Sequence, residues 1–248
     1  MVKYLIGVLF LIIGALAWMY FGVGKPKVYQ ESFQLAPSPH FYGRPDLSVS
    51  KIAIKAFYFV PKNRTKRTSS EWYQVLEKSL KKLVNFNSLQ LQGRSEVVYK
   101  IYPVPIVGEK EGIDYDTENT QYGNPQALLA MNREIKRRVL DSAGDLYDLD
   151  FSETEAPYRR VAMILYEGVG ASGTDDAAMV SRIFLTDPEY SLTGATIFTH
   201  EFYHTLGLPD GYTIPEAVPT TEDIMGLGKQ RPVEKTYIQR EFLRKLGI

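Results

Sequence analysis

Residues 199–212, THEFYHTLGLPDGY, constrain local conformation more tightly than any other part of this chain. On a helix His200 and His204 stand one turn apart and project both imidazoles from one face. Two ring nitrogens about 2.0–2.1 Å from a single ion require that spacing. Phe198 and Phe202 fall opposite, with Ala195 and Leu206 near them, so one face of the helix can enter a core while the other lines a cleft. Gly207 can adopt the left-handed conformation that ends a helix and reverses the chain, and Pro209 blocks continuation. Asp210 then arrives with an oxygen for a third coordination position. Glu201 is rotated about 100° from His200, too far to be a good ligand. It can instead contact a water in the ion's open position, as a general base. Three protein ligands plus an open position suit catalytic rather than structural zinc.

The remaining pattern predicts a mixed α/β sheet covered by helices in one domain, residues 51–248. Lys51–Val60 alternates and is rich in β-formers, which predicts a strand. Residues 68–71, Thr-Ser-Ser-Glu, form a capping box ahead of a helix with Trp72, Leu76, Leu80 and Leu83 on one stripe. Residues 97–107 read as a second strand. Asn124 and Pro125 open a helix with Leu128, Met131, Ile135 and Val139 inward, closed by Gly144. Residues 161–166, VAMILY, read as a central strand and 178–186 as another. A last helix is expected over about 232–246. No internal repeat is visible.

Equal numbers of basic and acidic side chains, 29 each, exclude the positive field a nucleic-acid binder needs. The basic stretch Lys62–Arg67 reads as a solvated loop. The twenty residues 4–23 carry no charge and, as a helix, would span roughly 30 Å, a bilayer core. Trp18, Tyr20 and Phe21 suit the headgroup boundary at its distal end. Residues 1–24 are therefore expected to be a transmembrane anchor that places the domain outside the cytoplasm. A signal cleaved after Ala15-Leu16-Ala17, giving a secreted form, is the alternative. Residues 25–50, with four prolines, read as a linker or short pro-segment.

The chain has no cysteine, which excludes disulfides, thiolate metal sites and cysteine nucleophiles. With only His40, His200 and His204 present, a histidine-based site is nearly determined in advance. Asp145, Asp148, Asp150, Glu153 and Glu155 lack the spacing of an EF-hand and read as a solvated acidic loop. Tyr212 and Tyr237 are candidates to donate to a tetrahedral oxyanion, chosen from 17 tyrosines.

The run His200–Glu201–x–x–His204–x–x–Gly207–x–x–Asp210 resembles metzincin metallopeptidases whose third ligand is aspartate, the snapalysins and immune inhibitor A peptidases above all. That resemblance implies Zn2+ held by His200, His204 and Asp210, with Glu201 as general base for hydrolysis of peptide bonds. It also implies a methionine turn at residues 222–226, EDIMG, with Met225 in a structural role. A peptide or protein substrate would lie along an edge strand ahead of the zinc helix, at 178–186. The match is strict over residues 199–228 and rests on element order upstream. Asp210 stands where histidine is commoner, and no spare imidazole in the domain can replace it. Glu222 and Glu234 are the alternative third ligands. A membrane-tethered peptide-binding module with a non-catalytic metal site, and a zinc hydrolase of a non-peptide amide, are the rival functions.

Overall fold

The computed structural model describes residues 38–116, 124–143, 151, 159–213 and 222–248. The expected apolar anchor, Gly144 and the acidic side chains of residues 145–155 lie outside them. No helix among the described residues is long and apolar enough to cross a membrane.

The elements run β1 (His40–Phe41), β2 (Arg44–Ser48), β3 (Lys51–Val60), α1 (Trp72–Gln90), β4 (Glu96–Ile101), β5 (Ile106–Val107), α2 (Pro125–Ala143), β6 (Arg159–Tyr166), β7 (Ala171–Gly173), β8 (Ala177–Ser181), α3 (Arg182–Thr186), α4 (Gly194–His204) and α5 (Arg240–Lys245). Six strands make one mixed sheet in the order β4-β3-β6-β8-β7, with β5 also paired to β3. All pairings are parallel except β7 on β8.

Helices cover both faces, and β3 shows why its alternation does not expose either one. Ile52, Ile54, Ala56, Tyr58 and Val60 join Leu76, Leu80 and Leu83 of α1 and Phe198 and Phe202 of α4 in one core. Ala53, Phe57 and Phe59 join Leu128, Met131, Ile135 and Val139 of α2 in the second. A parallel strand buried on both faces reads as a nearly continuous apolar run, and β6 does so from Val161 to Tyr166.

Local chemistry departs from the expected pattern in six respects. Ser69 accepts from Glu71 N–H at 3.2 Å, and the helix that follows has no side-chain cap at Glu71, so the capping box is not formed. The strand expected over 97–107 is two, β4 and β5, because Pro103 and Pro105 interrupt the ladder between them. The strand expected over 178–186 stops at Ser181, whose hydroxyl accepts from Ile183 N–H at 3.2 Å and turns the chain into α3. It also lies between β6 and β7, so the sheet edge on that side is β7. The last helix is only Arg240–Lys245, preceded by a 3-10 turn at Val233–Lys235. Residues 40–48 of the expected linker form a hairpin tied to the domain by His40 N–H on Leu246 O and Tyr42 N–H on Leu206 O, both 2.9 Å.

Candidate metal centre

The apolar side of α4 anchors it. Phe198, Phe202 and Tyr203 are fully buried, and the Tyr203 hydroxyl donates to Asn87 Oδ1 of α1 at 3.2 Å. The opposite side carries His200 and His204, whose Nε2 atoms are 3.2 Å apart. Helix α4 ends as expected: Gly207 has φ +82° and the chain reverses, with Leu208 N–H on Tyr203 O at 3.2 Å. That reversal brings Asp210 Oδ1 to 3.3 Å from His200 Nε2 and 3.8 Å from His204 Nε2. Ligand atoms placed tetrahedrally about 2.05 Å from one ion are about 3.3 Å apart, so the three atoms are spaced as such a set requires.

The tautomers follow from what the other ring nitrogens touch. His200 Nδ1 lies 2.8 Å from the Ile224 carbonyl and His204 Nδ1 lies 2.7 Å from the Leu208 carbonyl. A carbonyl oxygen only accepts, so both Nδ1 atoms carry hydrogen, and in the neutral rings both Nε2 atoms present lone pairs. Two lone pairs and a carboxylate oxygen thus converge on one point, an arrangement that calls for a cation. Without a metal a proton partly serves. Burial pulls the His200 imidazole down, but its bond to Asp210 and the charge of Glu201 outweigh that and raise its pKa. For His204 burial dominates, helped by the charge of His200, and its pKa falls to about 4. Burial pushes Asp210 up, yet the His200 bond and both imidazole charges hold it at about 2.

Glu201 is beside this set. Its two oxygens stand 4.0 Å from His200 Nε2 and His204 Nε2 respectively. Burial pushes its carboxyl up to about 7, with Asp210 adding to the shift. A carboxylate poised there can exchange a proton near neutral pH.

Three main-chain carbonyls and one buried carboxylate shape this centre without a signal in the side-chain pattern. Ile224 and Leu208 orient the imidazoles through their carbonyls. Asp223, fully buried, accepts from Met225 N–H at 3.2 Å and shapes the turn. The Met225 carbonyl accepts from Gly211 N–H at 2.7 Å, so this turn steadies both His200 and the segment carrying Asp210. Met225 itself is fully buried.

The other candidates separate clearly. Glu234 pairs with Lys82 at 2.8 Å and Glu222 with Arg231 at 3.6 Å, away from the imidazoles. His40 binds Ser38 O at 2.9 Å. Tyr212 lines the cleft and its hydroxyl donates to Asp210. Tyr237 is not among the cleft residues and serves through its backbone, with Ile224 N–H on its carbonyl at 2.8 Å.

The centre opens into a cleft of about 560 Å3 walled by β7, Phe184, Tyr190, Ile197, Tyr212 and Lys229. Ser181 N–H donates to Gly170 O and Thr174 N–H to Ala177 O. In an antiparallel ladder successive residues alternate sides, so Ser172 faces β8 while Ala171 and Gly173 turn their N–H and C=O groups away from it. The loop into β7 is held by Asp116, which pairs with Arg64 and accepts from Val169 N–H at 3.0 Å.

No family model and no curated protein matches this sequence. Metalloproteinase-II from Bacteroides fragilis is similar in structure at 12% identity and a TM-score of 0.45, over 85% of this chain and 54% of that one. This chain thus spans about half the length of that protein. A zinc-dependent peptidase from Methanocorpusculum labreanum is similar at 16% identity and a TM-score of 0.39, over 77% and 99%. With TM-scores below 0.5, neither likeness bears on what this chain binds or does.

Proposed function

We propose that this chain is a zinc-dependent metallopeptidase with His200, His204 and Asp210 as ligands and Glu201 as general base. One observation carries the reading: two imidazoles locked in the Nδ1–H tautomer and one carboxylate oxygen converge at 3.2–3.8 Å beside a buried carboxyl whose pKa is pushed up to about 7. Nitrogen and oxygen donors in this number suit zinc with an open position. Zinc bound there would supply Lewis acidity to a scissile carbonyl and bring the pKa of a water towards about 7. Glu201 takes the proton of the attacking water and delivers it to the leaving amine. The outward-facing backbone groups of Ala171 and Gly173 offer an extended peptide two donors and two acceptors, which favours a peptide over a compact amide.

The finer reading is a metzincin-type site with Met225 in its methionine turn. The support is the sequence from His200 to Asp210 and the hydrogen bonds linking residues 223–226 to His200 and Gly211. The apolar run at 4–23 supports a tethered domain acting on extracytoplasmic peptides or proteins. The deciding experiment compares the zinc-loaded wild type with Glu201→Gln. The wild type should cleave a peptide library in a chelator-sensitive way, and the variant should keep its zinc and lose turnover at least a thousandfold. A variant that cleaves at the wild-type rate would sink the assignment.

A further inference from the structure

Among the described residues, hydrolysis as proposed leaves one cation of the cleft without a task. Lys229 lies in the 3-10 turn Leu227–Gln230, directly after the Met225 turn, and its half-buried side chain lines the same cleft as His200, Glu201, His204 and Asp210. Its place is set by the backbone. Gly226 N–H and Gly228 N–H both donate to the Asp223 carbonyl, at 2.9 and 2.8 Å, and Arg231 N–H donates to Gly228 O at 2.8 Å. The ammonium sits 5.1 Å from the centroid of the Tyr212 ring, and the Tyr212 hydroxyl in turn donates to Asp210. A cation over an aromatic face is held without being neutralised. Among the described residues no carboxylate lies within 4.0 Å of the ammonium.

Lys229 shares its cleft with residues placed to hold a divalent cation, and like charges repel. An anion entering the cleft between them relieves that repulsion. Among the described residues Glu189 is the other acidic residue of the cleft wall beyond the centre itself; it is exposed on a different segment and makes no ion pair with Lys229.

We propose that Lys229 binds a carboxylate of the substrate, so that peptides carrying one near the scissile bond are preferred. This rests on the peptidase reading and names its substrate class. The carboxylate is an acidic side chain or the free C-terminus.

The test uses the full zinc-loaded chain and paired peptides. One series exchanges Glu for Gln at each position around the cleaved bond in amidated peptides. The other compares a free with an amidated C-terminus in otherwise neutral peptides. The wild type should show a kcat/KM ratio, carboxylate over neutral, on the order of tenfold or more in one series, which also identifies the source. Lys229→Gln should bring that ratio close to one, and Lys229→Glu should invert it towards peptides bearing lysine. Glu189→Gln should retain the preference, because a local contact and not the summed potential of the cleft creates it. A wild-type ratio near one in both series overturns the proposal. So does a ratio that Lys229→Gln leaves unmoved while kcat falls equally on all peptides, since that assigns Lys229 to the oxyanion. Fluorescence anisotropy of the same peptides on zinc-loaded Glu201→Gln, with and without Lys229→Gln, reads the preference without turnover. Failure of hydrolysis and failure of carboxylate recognition are thereby distinguished.

Discussion

Gly173→Ala tests the contact between β7, the proposed substrate edge, and α4. A Cβ built on Gly173 would stand 2.5 Å from the Glu201 carbonyl oxygen and 2.6 Å from His204 Cβ. Both neighbours belong to α4, one being its backbone, so neither can swing aside as a long side chain would. Ordinary contact lies near 3.5 Å, which requires about 1 Å of separation between β7 and α4. Overpacking of this kind costs about 1–3 kcal/mol. Displacement of a positioning element by about 1 Å costs on the order of a hundredfold in rate. The variant should therefore be destabilised to urea by about 1–3 kcal/mol and should lose kcat/KM by ten- to a hundredfold on extended peptides. Its zinc content should remain near that of the wild type, because the ligands keep their carbonyl partners on residues 208 and 224. Urea melts, metal analysis and steady-state kinetics measure the three. Wild-type stability together with wild-type kcat/KM would refute the close approach of β7 to the helix.

Zinc affinity should rise with pH. In the metal-free site His200 holds its proton to a pH above the ordinary imidazole range, and Glu201 holds one up to about 7. His204 and Asp210, at about 4 and about 2, have none to lose. Binding displaces the first proton and its charge expels the second, so from about pH 4.5 to 6.5 the association constant should climb by up to a hundredfold per unit. Glu201→Gln should reduce that slope to about tenfold; identical slopes in competition titrations would contradict the assignment. Asp210→Asn should weaken zinc at least a hundredfold while Glu234→Gln does not, and the reverse result by chelator competition would relocate the third ligand. Phe202→Ala, which empties a fully buried site under α4, should cost about 3–5 kcal/mol in urea unfolding; a loss below 1 kcal/mol would mean that the helix is anchored elsewhere.

Legibility followed the range of the forces involved. The spacing of His200, Glu201 and His204 is a property of one helix, and the reversal at Gly207 lies within one turn of it, so both could be read from adjacent residues. The β3, β6 and α2 segments were legible because their apolar periods reflect burial. The edge strand was not. The run 178–186, AMVSRIFLT, has the composition of a strand throughout, and the bond from Ile183 N–H to the Ser181 hydroxyl divides it. The segment that does form the edge, Ala171–Gly173, has no β-branched or aromatic residue and is a strand because β8 pairs with it. The expected final helix failed for a related reason: Asp223 bridges to Tyr237, and that long-range pairing keeps the chain extended ahead of α5. Lys229 carried no sequence signal, since its position depends on a turn closed onto Asp223.

The supports of both imidazoles are main-chain carbonyls, and this gives the centre an unusual kind of robustness. A carboxylate in that role disappears with a single codon change, whereas the oxygens of residues 208 and 224 persist under any side-chain substitution that preserves the path of the backbone. The vulnerable alterations are changes of length. Deleting one residue between 204 and 208, or between 223 and 225, would withdraw an oxygen that no nearby side chain could replace. Neutral supports also add no negative charge behind the imidazoles, so the carboxylates that would compensate a bound cation are those of Asp210 and Glu201 themselves.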